Sequence, residues 1–192
     1  MLQVSKEEPN FFRDKKKKVK NAKESSAWKN INDIRTNLRE YILNNEQQNM
    51  CVYCEKKISP DANKSNIDHF KTRGTHPELT LEYTNLLVSC NNQAHCSNKK
   101  DNFGLSKEDF DKLINPVNDD INNSFTHTTF GELVANNVKA EFAIEVFGLN
   151  NTALVQERKN ILLQLESYTD LEADIILEVL GCHKTLITYS KE

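Results

Sequence analysis

Cys51-Val52-Tyr53-Cys54, Ile67-Asp68-His69-Phe70, Asn85-Leu86-Leu87-Val88-Ser89-Cys90 and His95-Cys96-Ser97-Asn98-Lys99-Lys100 follow one another within residues 51–100. Two cysteine pairs bracket an acid–imidazole dipeptide and a lone asparagine. Four thiolates can hold one zinc ion tetrahedrally, and the two-residue gap of the first pair lets a tight turn aim both sulfurs at it. The second pair is looser, with five residues between its members. Cysteines that merely pack would sit on apolar stripes; these lie in polar, turn-rich sequence. The spacing therefore predicts a structural Zn²⁺ on Cys51, Cys54, Cys90 and Cys96. The intervening segment is too polar to order itself by burial, and a bound zinc can supply on the order of 10 kcal/mol of folding free energy. Asp68, His69 and Asn85 are the residues it would order.

The rest of the chain describes an ordinary protein. It has 192 residues, 28% charged and 8% aromatic, with a net charge of −3. No apolar run approaches the roughly 20 residues of a membrane span, and the start MLQVSKEEPNFF lacks the apolar stretch of a secretory signal. Five cysteines, four with metal spacing, fit a reducing cytoplasm better than a disulfide framework; Cys182 is left over as a packed thiol. Lysines 15, 16, 17, 18, 20 and 23 form a basic block, and the acids gather later, from Glu108 through Glu178. Such a block is a solvated helix face or, beside a phosphodiester-cutting centre, a phosphate attractor.

The expected fold class is α+β, mostly helical, in three regions. Residues 1–48 form a basic leader and an N-terminal helix: Ser25 or Ser26 caps it, and Trp28, Ile31, Ile34, Leu38 and Tyr41/Ile42 give one apolar face. Trp28 reads as core. Residues 49–104 form the zinc module, with a strand through Asp68-His69, a second after Asn85, and a helix from Cys96–Asn98. Residues 105–192 hold a brief helix from Ser106 to Ile114, a hairpin from Phe125 to Val134 broken by Gly131, and three helices. Those three are Lys139–Phe147 ending at Gly148, one opened by Asn151 or Thr152, and Leu171–Leu180 capped by Asp170 and closed by Gly181. The apolar rows after Lys139 read as fold and as a partner or self-association surface.

The central constellation suits metal-assisted phosphodiester hydrolysis. That reaction needs an in-line nucleophile and a cation against the scissile phosphate. His69 can deprotonate water, because an unperturbed imidazole titrates near neutrality. Neighbouring strand residues face opposite ways, so Asp68 is free to ligate Mg²⁺ or Mn²⁺ through hard oxygen. Asn85 could orient the His69 ring through its amide. The helix after Cys96 would offer a second metal ligand, from Asn98, Ser97 or His95, with Asn98 preferred; His95 competes less well with Cys96 for zinc. Arg73 and Lys100 are the candidate substrate contacts, and Arg73 reads equally well as solvated.

Cys51-x2-Cys54, Ile67-Asp68-His69-Phe70-Lys71-x-Arg73, Asn85-Leu86-Leu87-x-Ser89-Cys90 and His95-Cys96-x3-Lys100-x-Asn102 resemble an HNH endonuclease with a zinc-stapled ββα-metal centre. The flanks are similar to the HNH subunits of Septu and retron-linked anti-phage defence, the PtuB type. They are Glu8-Pro9, Trp28, Leu38, Asn115-Pro116, Gly131-Glu132 and Leu149-Asn150-x3-Leu154-x3-Arg158. The resemblance implies His69 as general base, Asp68 as metal ligand, Asn85 as the residue that positions His69, DNA as substrate and an ABC/SMC-like ATPase as partner. Ser97 departs from the pattern, since many HNH enzymes place His or Asn directly after the last zinc cysteine; Thr72 stands where relatives often carry proline. The rival reading is a non-catalytic zinc module that binds nucleic acid or docks a partner. Zinc nucleobase deaminases need His-x-Glu together with Pro-Cys-x-x-Cys; His76-Pro77-Glu78 matches the first, but Met50 rather than proline precedes Cys51-x-x-Cys54.

Overall fold

Leu86-Leu87-Val88-Ser89-Cys90 has no polar face to offer water. In the computed structural model, which describes residues 1–191, all five are buried. They form strand β2 (Leu86–Cys90), antiparallel to β1 (Ser65–His69), with register from Ser65↔Cys90 to His69↔Leu86. Side chains alternate across a strand. Leu86 and Val88 join one apolar layer with Trp28, Ile31, Leu38 and Ile42, whereas Leu87 joins a second with Tyr53, Phe70 and Phe147. The hairpin is the partition between two cores. A short helix α3 (Cys96–Asp101) follows and packs on β2, completing a strand–strand–helix order.

The N-terminal layer differs from the expected continuous helix. Residues Ser25–Ile34 are a 3₁₀ segment whose backbone leaves helical geometry at Ile31, and a regular helix α2 spans Arg35–Asn45. A three-residue repeat eclipses positions three apart, so Trp28, Ile31 and Ile34 line up on the core, which an α-helical pitch would not do as directly. Neither serine caps; Ser26 Oγ donates to Glu24 instead. Ahead of it, helix α1 (Asn10–Lys17) starts after Pro9 and buries Phe12 against Tyr83. The first residues of the leader are core rather than arm. Met1, Leu2 and Val4 are buried, and the Leu2 and Val4 amides bond the Val52 and Pro116 carbonyls.

Beyond Gly104 the brief helix shrinks to α4 (Asp109–Lys112), with Ser106 bonded to the Asp109 carboxylate. Strands β3 (Phe125–His127) and β4 (Leu133–Ala135) pair antiparallel. Helix α5 (Val138–Phe147) is capped by Asn137 and stopped by Gly148; α6 (Thr152–Leu165) is capped by Asn151. Helix α7 (Ala173–Leu180) begins after Glu172 rather than Asp170 and ends at Gly181. An eighth helix, α8 (Lys184–Lys191), was not expected, because Thr185, Ile187 and Thr188 favour strand. Burial of Leu186 and Ile187 against Ile161, Leu165 and Ile176 overrides that preference, and Cys182 packs at the edge of this cluster.

The Gly131, Leu149-Asn150 and Arg158 positions converge. Arg158, buried without a carboxylate on it among the described residues, donates to the Gly131 carbonyl (2.6 Å), the Leu149 carbonyl (2.8 Å) and Asn150 Oδ1 (3.1 Å). Asn150 in turn bonds both backbone groups of Leu133. This clasp fastens the β3–β4 hairpin to α5 and α6. Among the described residues no helix is long and apolar enough to cross a membrane.

Candidate functional site

The first cysteine pair sits on a knuckle. The Glu55 amide donates back to the Cys51 carbonyl and the Cys51 amide to the Lys56 carbonyl, with Glu55 at φ 60°. The second pair comes from the end of β2 and the first residue of α3. All four sulfurs lie within 4.8 Å of one another. Cys51 and Cys96 Sγ are 3.7 Å apart, and Cys54 and Cys90 Sγ 3.9 Å. A tetrahedron with metal–sulfur bonds of about 2.3 Å has edges of about 3.8 Å, so the donor set fits zinc. Disulfide bonding needs about 2.05 Å, and all five cysteines are free. His95 lies beside this set, its Nδ1 3.1 Å from Cys96 Sγ and 3.8 Å from Cys90 Sγ.

The staple fixes β1, and β1 ends in the two residues of interest. Asp68 turns toward α3. Its two oxygens accept from Lys100 Nζ at 2.7 and 2.9 Å, and the Tyr53 hydroxyl donates to Oδ2. Burial, then the Asp68 charge, holds the Tyr53 phenol protonated well above its ordinary range. Lys100 also reaches the His69 and Phe70 carbonyls (2.7 and 3.3 Å) and lies 3.3 Å from Asp101 Oδ1. A fully buried ammonium is thus ringed by oxygens, which revises the expectation that Lys100 meets substrate; it is a strut.

His69 turns to the opposite face, against Trp28. The two rings meet edge to face with centroids 4.5 Å apart. His69 Nε2 is 2.9 Å from the Thr80 carbonyl oxygen. A carbonyl has no proton to give, so Nε2 carries the hydrogen and Nδ1 keeps the lone pair. Burial is the largest influence on the ring and pulls its pKa down from 6.5 to about 4, against the Thr80 bond and Asp68. The imidazole is neutral at physiological pH.

Asn85 does not touch the His69 ring, contrary to expectation. Its amide bonds both backbone groups of Lys71 (2.8 and 3.0 Å) and the Leu79 carbonyl (3.3 Å). Those positions flank Phe70 on one side and Thr80 on the other, so Asn85 closes the loop that carries the His69 acceptor. Asn98 points away from Asp68, donating to the Asn92 carbonyl (3.2 Å), and Ser97 ties α3 to β1 through Asn66 (3.3 Å). Neither meets Asp68. The helix residue that shares Lys100 with Asp68 is Asp101, half-exposed on α3. Sequence reasoning missed Asp101, Tyr53 and Thr80. Asp101 sits one helical turn after Asn98 and carried a signal; Thr80 acts through its backbone and carried none.

No family model matches the chain. It is 32% identical over 127 residues to the "Retron Vc95 putative HNH endonuclease" of Vibrio cholerae serotype O1 biovar El Tor, covering 61% of this chain and 60% of that protein. It is 30% identical over 102 residues to the Septu protein PtuB of Bacillus thuringiensis, covering 53% of this chain and 37% of that one. The resemblance to Septu and retron HNH proteins is real. The matched part spans less than two thirds of either relative, so what those whole proteins do is not thereby given to this one.

Proposed function

We propose that the chain is a metal-dependent HNH-type endonuclease that hydrolyses DNA, working in the cytoplasm as the effector of an anti-phage defence complex with an ABC/SMC-like ATPase. The observation that carries this reading is His69 itself: a neutral imidazole at the end of β1, its Nε2 hydrogen fixed on a backbone carbonyl and its Nδ1 free to take a proton from water. The retron and Septu relatives lend the defence context. The exposed row Leu171, Ile175 and Val179 is the surface assigned to the partner or to a second copy.

Zinc on Cys51, Cys54, Cys90 and Cys96 is structural in this reading. Asp68, with Asp101 or Asn98, would hold a catalytic Mg²⁺ or Mn²⁺, an ion that would have to displace the Lys100 ammonium from the Asp68 oxygens. That ion would offset charge on the phosphate and leaving oxygen. The chain's own contributions are a proton acceptor at His69 Nδ1, an Asn85 clamp that keeps the Thr80 carbonyl in place, and cationic side chains for phosphate. The competing reading of a non-catalytic zinc module draws support from one contact, the Lys100 ammonium that engages both Asp68 oxygens. Plasmid nicking with Mg²⁺ or Mn²⁺ separates the two. His69→Ala should abolish nicking while zinc content is retained; nicking equal to the parent's would sink the nuclease reading.

A further inference from the structure

The N-terminal layer brings charge to His69 that no motif marks. Arg35 opens α2, and its guanidinium carbon lies 4.6 Å from the centre of the Trp28 ring. Arg73, from the loop beyond β1, places its guanidinium 5.9 Å from the same centre. An edge contact joins that indole to the candidate base. Two cations from distant parts of the sequence therefore share one aromatic platform at the imidazole.

Neither arginine is neutralised. Among the described residues neither guanidinium meets a carboxylate, and the one hydrogen bond of the pair runs from Arg35 Nη2 to the Trp28 carbonyl. Arg35 Nε is buried with no partner, as is Nε of Arg39 next along the helix. Burial, then the charges of Arg73 and Arg39, lowers the pKa of Arg35. In the basic block of the leader, Lys15 pairs with Asp33, Lys16 with Glu8 and Lys17 with Asp14. Stacking on an indole explains one arginine. It does not explain two uncompensated cations on one indole, one of them with an orphaned donor, an arrangement that an arriving anion would relieve.

We propose that Arg35 and Arg73 clamp one backbone phosphate of a nucleic-acid strand over Trp28, beside His69. The planar guanidinium fork matches phosphate oxygens two at a time. Gripping one phosphate sets the position of its neighbour along the strand, so the clamp presents a phosphodiester to His69 Nδ1. It reads backbone and not base, and it gives the N-terminal layer a role in substrate binding. This rests on the nuclease reading of the same site.

Trp28 is the chain's single tryptophan, so its emission reports on the clamp directly. A short DNA duplex is titrated into the full-length, zinc-loaded protein with Ca²⁺ in place of Mg²⁺ to hold back cleavage. Trp28 emission should change saturably. Arg35→Gln and Arg73→Gln should each weaken binding about tenfold for every sequence tried and reduce the salt slope by about one. Arg35→Lys should recover the slope without the full affinity. Arg73→Gln removes no hydrogen bond among the described residues, so it tests the clamp even if Arg35→Gln unfolds. Binding that leaves Trp28 silent, or an Arg73→Gln variant with the parent's affinity and slope, overturns the proposal. Nicking run in parallel keeps the two readings apart: a Trp28 response without nicking preserves the clamp and removes the nuclease, and nicking with Trp28 silent does the reverse.

Discussion

Lys100→Met is the most demanding single perturbation of this site. The ammonium it removes is fully buried and bonds both oxygens of Asp68 at 2.7 and 2.9 Å and the His69 and Phe70 carbonyls at 2.7 and 3.3 Å. Methionine keeps most of the length and none of the donors. It strands a buried carboxylate that retains only the Tyr53 hydroxyl, plus two carbonyls, and breaking a buried pair from one side costs about 3–5 kcal/mol. For a chain of this size each kcal/mol lowers Tm by about 2–4 °C, so a fall of about 6–20 °C is expected. Urea unfolding of the zinc-loaded protein measures it, and a double-mutant cycle with Asp68→Leu isolates the pair: the double variant should be more stable than Lys100→Met alone, with a coupling above about 2 kcal/mol. A loss under about 1 kcal/mol for Lys100→Met, or a coupling near zero, would show that the ammonium is not the partner of Asp68 and that this carboxylate is open to other cations.

Four further expectations follow from the same geometry. His69 is neutral in the fold down to about pH 4, whereas an unfolded imidazole takes its proton near 6.5. The unfolded chain therefore binds more protons in that window and stability falls on acidification, by on the order of 3 kcal/mol between pH 6.5 and 4. His69→Gln should flatten that part of a pH–stability curve; an unchanged slope refutes the assignment. The acid limb of nicking should also fall near pH 4 rather than 6.5. Elemental analysis should find one zinc per chain, and Cys54→Ser should lower zinc content and Tm together; a fully stable zinc-free protein would be decisive against the staple. Gly131→Ala meets the Val155 carbonyl oxygen at 2.4 Å and the Lys159 nitrogen at 2.7 Å from a backbone at φ +87°, so its melting point should drop by several degrees, equivalent to about 2 kcal/mol or more, and a neutral result would discredit the Arg158 clasp. Asn85→Ala should lower nicking at least tenfold (about 1.4 kcal/mol) and slow the enzyme more than it weakens binding, since the amide touches backbone and not DNA.

How much of this was legible in the sequence depends on whether side chain or backbone carries the function. Cys51, Cys54, Cys90 and Cys96 were readable because thiolate chemistry fixes both residue type and spacing. Asp68-His69 on a strand was readable because alternation puts one residue on each face, and the structure does place them so, one on Lys100 and one on Trp28. The Lys100–Asp68 pair was not readable: it spans 32 residues, and a lysine in a polar helix normally faces water. Nor was the atom that orients His69, a main-chain carbonyl at Thr80 to which any residue could contribute.

The two misread elements have a common cause. The 3₁₀ turn through Trp28 and the helix α8 both set local preference against burial, and burial won in each case. At Trp28 the outcome has a chemical consequence. A three-residue pitch carries Trp28 onto His69 and leaves α2 to begin at Arg35, so the guanidinium at that first position lies over the indole. The register at Ile31 thereby couples the packing of the N-terminal layer to the charge beside the imidazole. An Ile31→Ala variant should disturb both together, shifting Trp28 emission in the free protein and weakening DNA binding. If it lowered Tm alone, with Trp28 emission and affinity intact, the register would be packing and nothing more.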